Sequence, residues 1–196
     1  MFSTGNLYNN NTINFDAMSS LTQRSNRVLL IFFIGTIAMT LVMRWHGAAL
    51  TKFPSSKAGI VSLELAKTKE QANTIINEWA SFQSKPLLTH AIQNTWIDFV
   101  YLFFYSVFFF QLCYRVSLKQ TGAMAIISRL LSIGALKAGL CDVVENAAML
   151  SSLQHGATGT TAFLAWFFAV VKFSLLAVIV FWLLVSGATL LLKRTK

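Results

Sequence analysis

Four long apolar segments dominate the pattern of hydrophobic and polar positions along the chain. They cover about residues 28–46, 92–114, 125–151 and 160–192, and basic residues stand at several of their ends. An α-helix needs roughly 20 predominantly apolar residues to cross the hydrocarbon core of a bilayer, and the segments are close to this length or longer. The pattern therefore predicts an all-α membrane protein built as a four-transmembrane-helix bundle.

The first apolar segment is the shortest and leaves two interpretations open. Its uncharged part runs from Val28 to Met43 between Arg27 and Arg44, so it crosses a bilayer only if both arginine side chains extend toward the interfaces. It could instead be a signal peptide that is cleaved near Gly47. The polar region before it is long for a signal peptide, which favours a membrane helix that is retained.

Two polar regions complete the predicted organisation. Residues 1–26 are rich in asparagine and lack apolar periodicity, which predicts a flexible cytoplasmic tail before a single membrane domain over residues 27–196. Residues 55–82 predict a helical cap between the first and second membrane helices. Within it, Thr68 and Gln71 have the spacing of a capping box, and one helix face carries Ala72, Ile75, Ile76 and Trp79.

Composition supports a lipid environment. The chain is 55% hydrophobic and 12% charged, which leaves too little polar surface for a water-soluble globule, so the bilayer is the expected surrounding. The 16 Lys and Arg residues outnumber the 7 Asp and Glu residues. Because the basic residues flank apolar segments and form no stripe along a soluble helix, we expect no nucleic-acid partner.

The positions of the basic residues predict the orientation. One side of the predicted membrane receives Arg24, Arg27, Arg115, Lys119, Lys193, Arg194 and Lys196, whereas the loop over residues 152–159 contains no Lys or Arg. Short loops rich in Lys and Arg stay in the cytoplasm. We therefore expect a multi-pass protein of the plasma membrane, the inner membrane of a bacterium, with both termini cytoplasmic and the cap extracytoplasmic.

Charged residues inside the predicted spans fall at similar depths. At 1.5 Å per residue from the cytoplasmic ends, Arg44, Asp98 and Lys172 lie roughly 25 to 30 Å up, and Asp142 and Glu145 roughly 20 to 24 Å. Inserting the third span into the bilayer would cost on the order of 10 kcal/mol if its four charged residues faced lipid unpaired. These residues are Arg129, Lys137, Asp142 and Glu145. Small residues allow neighbouring helices to approach this span, which predicts that it is central: Gly134, Ala135, Ala138, Gly139, Ala147 and Ala148.

The strongest polar signal lies in the third span. Asp142, Glu145 and Asn146 stand at positions i, i+3 and i+4, so their side chains point into one sector of the helix. The candidate ligand- or ion-binding residues are Asp98, Asp142, Glu145, Asn146 and Glu64. Their expected charge partners are Arg44, Lys137 and Lys172, and we expect the network to be roughly neutral.

Three hypotheses follow for the function. The buried acidic cluster binds a cation, a proton or a small polar ligand in the outer leaflet. Alternatively, the chain is a membrane-embedded enzyme on a lipid-like substrate. In the third hypothesis it is a structural or partner subunit, in which the ion pairs only hold the helices together and the aromatic run from Phe99 to Phe110 faces lipid or another membrane helix.

The sequence contains no motif that assigns a catalytic residue, a metal or a cofactor. Its histidines and cysteines are scattered and are more typical of interfacial and core positions: His46, His90, His155, Cys113 and Cys141. A homo-oligomer and a complex with another membrane protein are both compatible with this sequence.

Three stretches carry a resemblance to a known group of proteins. They are GIVSLELA at Gly59 to Ala66, the apolar helix that ends in Trp79, and GLCDVVEN at Gly139 to Asn146. Together they resemble small uncharacterised bacterial four-helix integral membrane proteins, in general plan over residues 28–192. The resemblance implies a four-helix membrane fold and an envelope location, and it implies no activity, cofactor or catalytic residue.

Overall fold

The computed structural model describes residues 15–82 and 87–194. These residues contain six α-helices, two short 3-10 turns and their connections, and no β-strand. In chain order the α-helices are α1 (Phe15–Gly47), α2 (Ile60–Glu64), α3 (Lys69–Ser81), α4 (Leu87–Leu118), α5 (Gly122–His155) and α6 (Gly159–Arg194). The 3-10 turns, Ala48–Lys52 and Pro54–Ser56, lie between α1 and α2. The predicted bundle of four membrane-capable helices is confirmed, because α1, α4, α5 and α6 are long and apolar enough to cross a bilayer.

The long helices extend beyond the apolar segments that predicted them. The largest difference is at α1, which begins at Phe15, so that residues 15–26 of the predicted tail are helical. Residues 1–14 lie outside the described part of the chain. Once a helix exists, each further residue adds a backbone hydrogen bond, and residues 15–26 contain neither Pro nor Gly to stop it.

The spanning helices pack in the order α1, α4, α5, α6. Helix α5 packs along both α4 and α6, whereas α1 packs along α4, and α4 meets α6 only over a short stretch. In the most apolar part of α5, 39% of the residues are buried, compared with 6% in α1. The prediction that the third membrane helix is central is confirmed, and α1 is the most peripheral of the four.

Small residues of α5 allow this close packing. Gly134, Ala135, Ala138, Gly139 and Ala148 are buried, while Ala147, predicted at the same interface, is exposed. A Cβ atom added at Gly139 would lie 2.9 Å from Ser106 Cβ on α4, which is shorter than an ordinary contact. A Cβ atom added at Gly134 would lie 4.0 Å from Ile179 Cδ1 on α6, which is ordinary van der Waals contact.

We therefore expect Gly139→Ala to lower the free energy of unfolding by about 1 to 3 kcal/mol, because the added methyl group forces α4 and α5 apart. Gly134→Ala is the matched control on the same helix and should be neutral or slightly stabilising. Unfolding by a denaturing detergent in mixed micelles, followed by circular dichroism, measures both. Equal midpoints for the two variants would contradict a tight contact at Gly139.

The cap covers one end of the bundle. Thr68 and Gln71 form the predicted capping box at the start of α3, and the predicted apolar face of α3 is buried at all four positions. The side chain of Asn73 makes two 2.9 Å hydrogen bonds with the backbone of Ala157, in the turn between α5 and α6. The cap is therefore fastened to the end of the bundle at which α5 ends and α6 begins.

Candidate functional site

Lys172 on α6 is the centre of a buried network of charges. Its Nζ atom donates hydrogen bonds of 2.9 Å to Asp142 Oδ1 and to Glu145 Oε1, both on α5. Glu64 Oε2, at the end of α2, lies 3.6 Å from the same Nζ. The exposed fractions of these residues are 5% or less, so three carboxyl groups surround one ammonium group away from water.

Two residues of α4 extend the network. The hydroxyl group of Tyr105 donates a 2.7 Å hydrogen bond to Asp142 Oδ2. Asn146 Nδ2 on α5 donates a 2.8 Å hydrogen bond to Asp98 Oδ2. The structure thus brings together all five candidate residues of the sequence analysis, from three helices, with Lys172 as their cation. We call Glu64, Asp98, Asp142 and Glu145 the acidic cluster.

Two of the three expected charge partners are not paired. Lys137 is exposed and forms no ion pair with a described residue, so its assignment as a charge partner needs correction. The step of five positions from Lys137 to Asp142 turns an α-helix by about 140° beyond one full turn, which directs the two side chains to different faces. Arg44 lies near the acidic cluster but makes no ion pair within the described part of the chain.

Acidic groups outnumber basic ones in this network, so its expected neutrality depends on which carboxyl groups carry a proton. Four buried carboxyl groups accompany Lys172, and Arg44 is the second cation nearby. Glu64 Oε2 is buried and receives no hydrogen bond, and Asp98 Oδ1 receives none from a described residue. An uncompensated carboxylate is costly away from water, so protons on the carboxyl groups or a positively charged ligand would stabilise this network.

A cavity of about 430 Å³ adjoins the acidic cluster. This volume lies in the range of sites for small organic molecules. Its charged and polar lining consists of Arg44, Thr51, Glu64, Asp98, Tyr101, Tyr105, Asp142 and Lys172. The rest of the wall is mostly apolar and includes Met43, Ala48, Ile60, Val61, Phe173 and Leu176. The cavity is therefore amphipathic, with its carboxyl groups contributed by α2, α4 and α5.

The cap contributes to this site through α2. Gly59, with φ of 63°, starts α2 in a backbone conformation that favours glycine. A Cβ atom at this position would lie 3.4 Å from the carbonyl oxygen of Gly47 at the end of α1. The tight turn at Gly59 thus lets α2 approach the bundle closely enough for Glu64 to reach Lys172.

Sequence reasoning missed the tyrosine side of the cavity. Tyr101 and Tyr105 lie in the aromatic run that we interpreted as facing lipid or a partner helix, yet both line the cavity and Tyr105 is 3% exposed. They stand three and seven residues after Asp98, spacings that place them on the same face of a helix. The signal available in the sequence was therefore the helical spacing of the two tyrosine hydroxyl groups with the carboxyl group of Asp98.

The described residues contain no group of three or more His, Cys, Asp and Glu side chains that could hold a metal ion. His46 and His90 nevertheless come together under the cap, with ring centroids 5.2 Å apart. Asn94 Nδ2 lies 3.3 Å from His46 Nδ1 and links α4 to the end of α1. This pair lies outside the lining of the cavity, at the contact between α1 and α4.

Comparisons of the chain with protein-family models, with curated proteins and with solved structures found no match.

Proposed function

We propose that this chain is an integral membrane protein that binds a small organic ammonium ligand in the cavity beside the acidic cluster. The observation that carries the proposal is the excess of carboxyl groups at the cavity wall. Glu64 is 5% exposed, its Oε2 atom accepts no hydrogen bond, and Asp98 Oδ1 is likewise without a donor among the described residues. A ligand with N–H donors and a positive charge would bond to Asp98 Oδ1 and offset the negative charge of Glu64, whose Oε2 atom lies 3.6 Å from Lys172 Nζ.

An ammonium group suits the cavity better than a metal ion. Lys172 occupies the position between Asp142 and Glu145 where a bound cation would otherwise bridge the two carboxylates. Ca²⁺ and Mg²⁺ require about six or more oxygen ligands, whereas two carboxylate oxygens are sufficient to accept N–H groups. The rings of Tyr101 and Phe173 in the wall also favour an organic cation.

The proposal extends to the orientation and location of the chain. We propose a bacterial inner membrane with both termini in the cytoplasm, because Arg27, Arg115 and Lys119 lie at the bundle end opposite the cap. The cavity then lies in the outer leaflet, beneath an extracytoplasmic cap.

A structural role is the second candidate function, and the contacts of Lys172 favour it. Its two 2.9 Å hydrogen bonds join α5 to α6, and the approach of Glu64 adds α2. Ion pairs of this kind can specify helix packing without binding a ligand. Because Asp142 and Glu145 are both bonded to Lys172, the geometry favours charge compensation over the acid–base chemistry of the enzyme hypothesis.

The test compares Asp98→Asn with wild-type protein, using butylammonium as the probe and butanol as its uncharged counterpart. We expect butylammonium, but not butanol, to raise the melting midpoint of the wild type. Asp98→Asn should weaken that binding about tenfold or more, which corresponds to about 1.4 kcal/mol, because it removes the charge while keeping an acceptor for Asn146. Isothermal titration gives the dissociation constants.

Glu70→Gln is the matched control, because Glu70 is an exposed carboxyl group in the first turn of α3, away from the cavity lining. It should bind butylammonium as the wild type does. Wild-type protein that does not respond to butylammonium at millimolar concentrations, together with an Asp98→Asn variant that is only less stable, would favour the structural role.

A further inference from the structure

The cavity is bounded on one side by two helices that do not pack along each other. Met43 and Arg44 of α1 and Lys172, Phe173 and Leu176 of α6 all line it. Within the described residues α1 packs along α4, and α6 packs chiefly along α5. Because α1 and α6 do not pack along each other, this side of the cavity wall is the least tightly closed, and we call it the gap.

This gap lies at the depth of the hydrocarbon core. Measured from Gly159, Phe173 and Leu176 stand roughly 21 and 26 Å along a helix about 54 Å long, close to its middle. A bilayer core about 30 Å thick, centred on α6, includes both residues. With this placement the α6 side of the gap faces acyl chains, while Arg44 on the α1 side lies toward the outer boundary of the core.

Polarity changes along the path from the gap to the acidic cluster. Phe173 is 39% exposed at the gap, and Lys172 Nζ lies 4.7 Å from the centre of its ring. Met43 and Leu176 add apolar surface at the same place, whereas the carboxyl groups of Glu64 and Asp98 are at least nine-tenths buried behind them. A molecule in this path would have its charge inside the protein and its apolar part toward the lipid.

Building on the proposed function, we infer that the ligand is an amphiphile with an ammonium head and a hydrocarbon chain. The head lies against Asp98 and Glu64, and the chain leaves the cavity between α1 and α6 and enters the bilayer. Such a ligand is a component of the membrane or is dissolved in it, in contrast to a short amine that comes from water. The small buried fraction of α1 fits this arrangement, because α1 packs tightly only on its α4 side.

The direct test is photo-cross-linking with a dodecylammonium probe that carries a diazirine at the sixth carbon. The protein is reconstituted in phosphatidylglycerol nanodiscs, whose lipid contains no ammonium group. We expect labelling of α1 near Met43 and of α6 near Phe173 and Leu176, mapped by mass spectrometry. Excess butylammonium and the Asp98→Asn variant should each reduce it about tenfold or more, whereas labelling at unrelated lipid-facing positions should persist.

The outcomes separate this inference from the proposed function. Labelling that depends on Asp98 but maps to cap residues such as Ile60 and Val61 would overturn the exit between α1 and α6 and leave ammonium binding intact. Without any labelling that depends on Asp98 or is competed by butylammonium, both are overturned. If Asp98→Asn fails to fold, competition by excess butylammonium on the wild-type protein still tests both proposals.

A pair of variants on α6 provides an independent measurement. Leu176→Trp places a bulky side chain in the gap, whereas Leu184→Trp is two turns further along at a position that is 69% exposed. Since Leu176 also lines the cavity, we expect Leu176→Trp to weaken dodecylammonium binding about tenfold more than it weakens butylammonium binding. Leu184→Trp should change neither affinity. Equal effects of Leu176→Trp on the two amines would contradict a chain that passes through the gap.

Discussion

Lys172→Met should lower the free energy of unfolding by about 3 to 5 kcal/mol, the loss that follows when one partner of a buried ion pair is removed. Met has a similar length, so the variant removes the charge with little change in packing. Asp142 and Glu145, each 2.9 Å from Nζ, and Glu64, at 3.6 Å, would then be left in a buried site without their cation. We expect this to be the most destabilising replacement of a charged residue in the spanning helices.

Lys137→Met is the matched control, because Lys137 is exposed on α5 and unpaired among the described residues. It should change the free energy of unfolding by less than about 0.5 kcal/mol or stabilise the protein slightly. Titration with a denaturing detergent measures both variants. Adding Asp142→Asn and Glu145→Gln to Lys172→Met should restore part of the loss, since it removes two of the unpaired charges. Similar losses for Lys172→Met and Lys137→Met would contradict the central place of Lys172.

Trp79→Ala should also lower the free energy of unfolding by about 3 to 5 kcal/mol, as expected for a large aromatic side chain deleted from a core. Trp79 on α3 is 0% exposed and is among the largest fully buried side chains of the described chain. Its Nε1 atom lies 3.2 Å from Leu50 O and from Ser56 Oγ, which joins α3 to both 3-10 turns. We expect the loss to be concentrated in the cap.

Hydrogen exchange can locate this loss, because α3 should lose protection in Trp79→Ala while α5 keeps most of its own. Trp96→Ala is the control, since Trp96 lies on α4 and is 56% exposed. It should cost much less and leave α3 protected. Trp79→Phe should lower the free energy of unfolding by less than Trp79→Ala and by more than Trp96→Ala, because it keeps most of the apolar contact and loses the indole N–H. Unchanged exchange in α3 of Trp79→Ala would show that the cap is held by other contacts.

Local patterns predicted the elements of this fold well. The lengths of the apolar segments are sufficient to predict the four spanning helices, because a helix in a bilayer satisfies its own backbone hydrogen bonds. The capping box at Thr68 and the apolar face that ends in Trp79 predicted α3 for the same local reason. The beginning of α1 was not predictable in this way, because the polar residues before Val28 have no periodicity and are helical as an extension of the apolar segment.

The candidate site was predictable only in part. The spacing of Asp142, Glu145 and Asn146 placed three polar side chains in one sector, and this depends on helix geometry alone. Helix lengths also placed Asp98 and Lys172 at similar depths. Depth leaves the direction of a side chain around the helix undetermined, and for this reason Lys137 was assigned to a network from which it points away.

The sequence by itself therefore determined the number of membrane-capable helices, the capped helix α3 and the polar sector of α5, since each follows from residues close together in the chain. Only the tertiary structure decided that Lys172 is the cation shared by Asp142, Glu145 and Glu64, and that Tyr105 bonds to Asp142. It also decided that residues of α1, α2, α4, α5 and α6 line one cavity beside these groups. These features depend on the rotation and order of packed helices, which result from contacts between residues far apart in the chain.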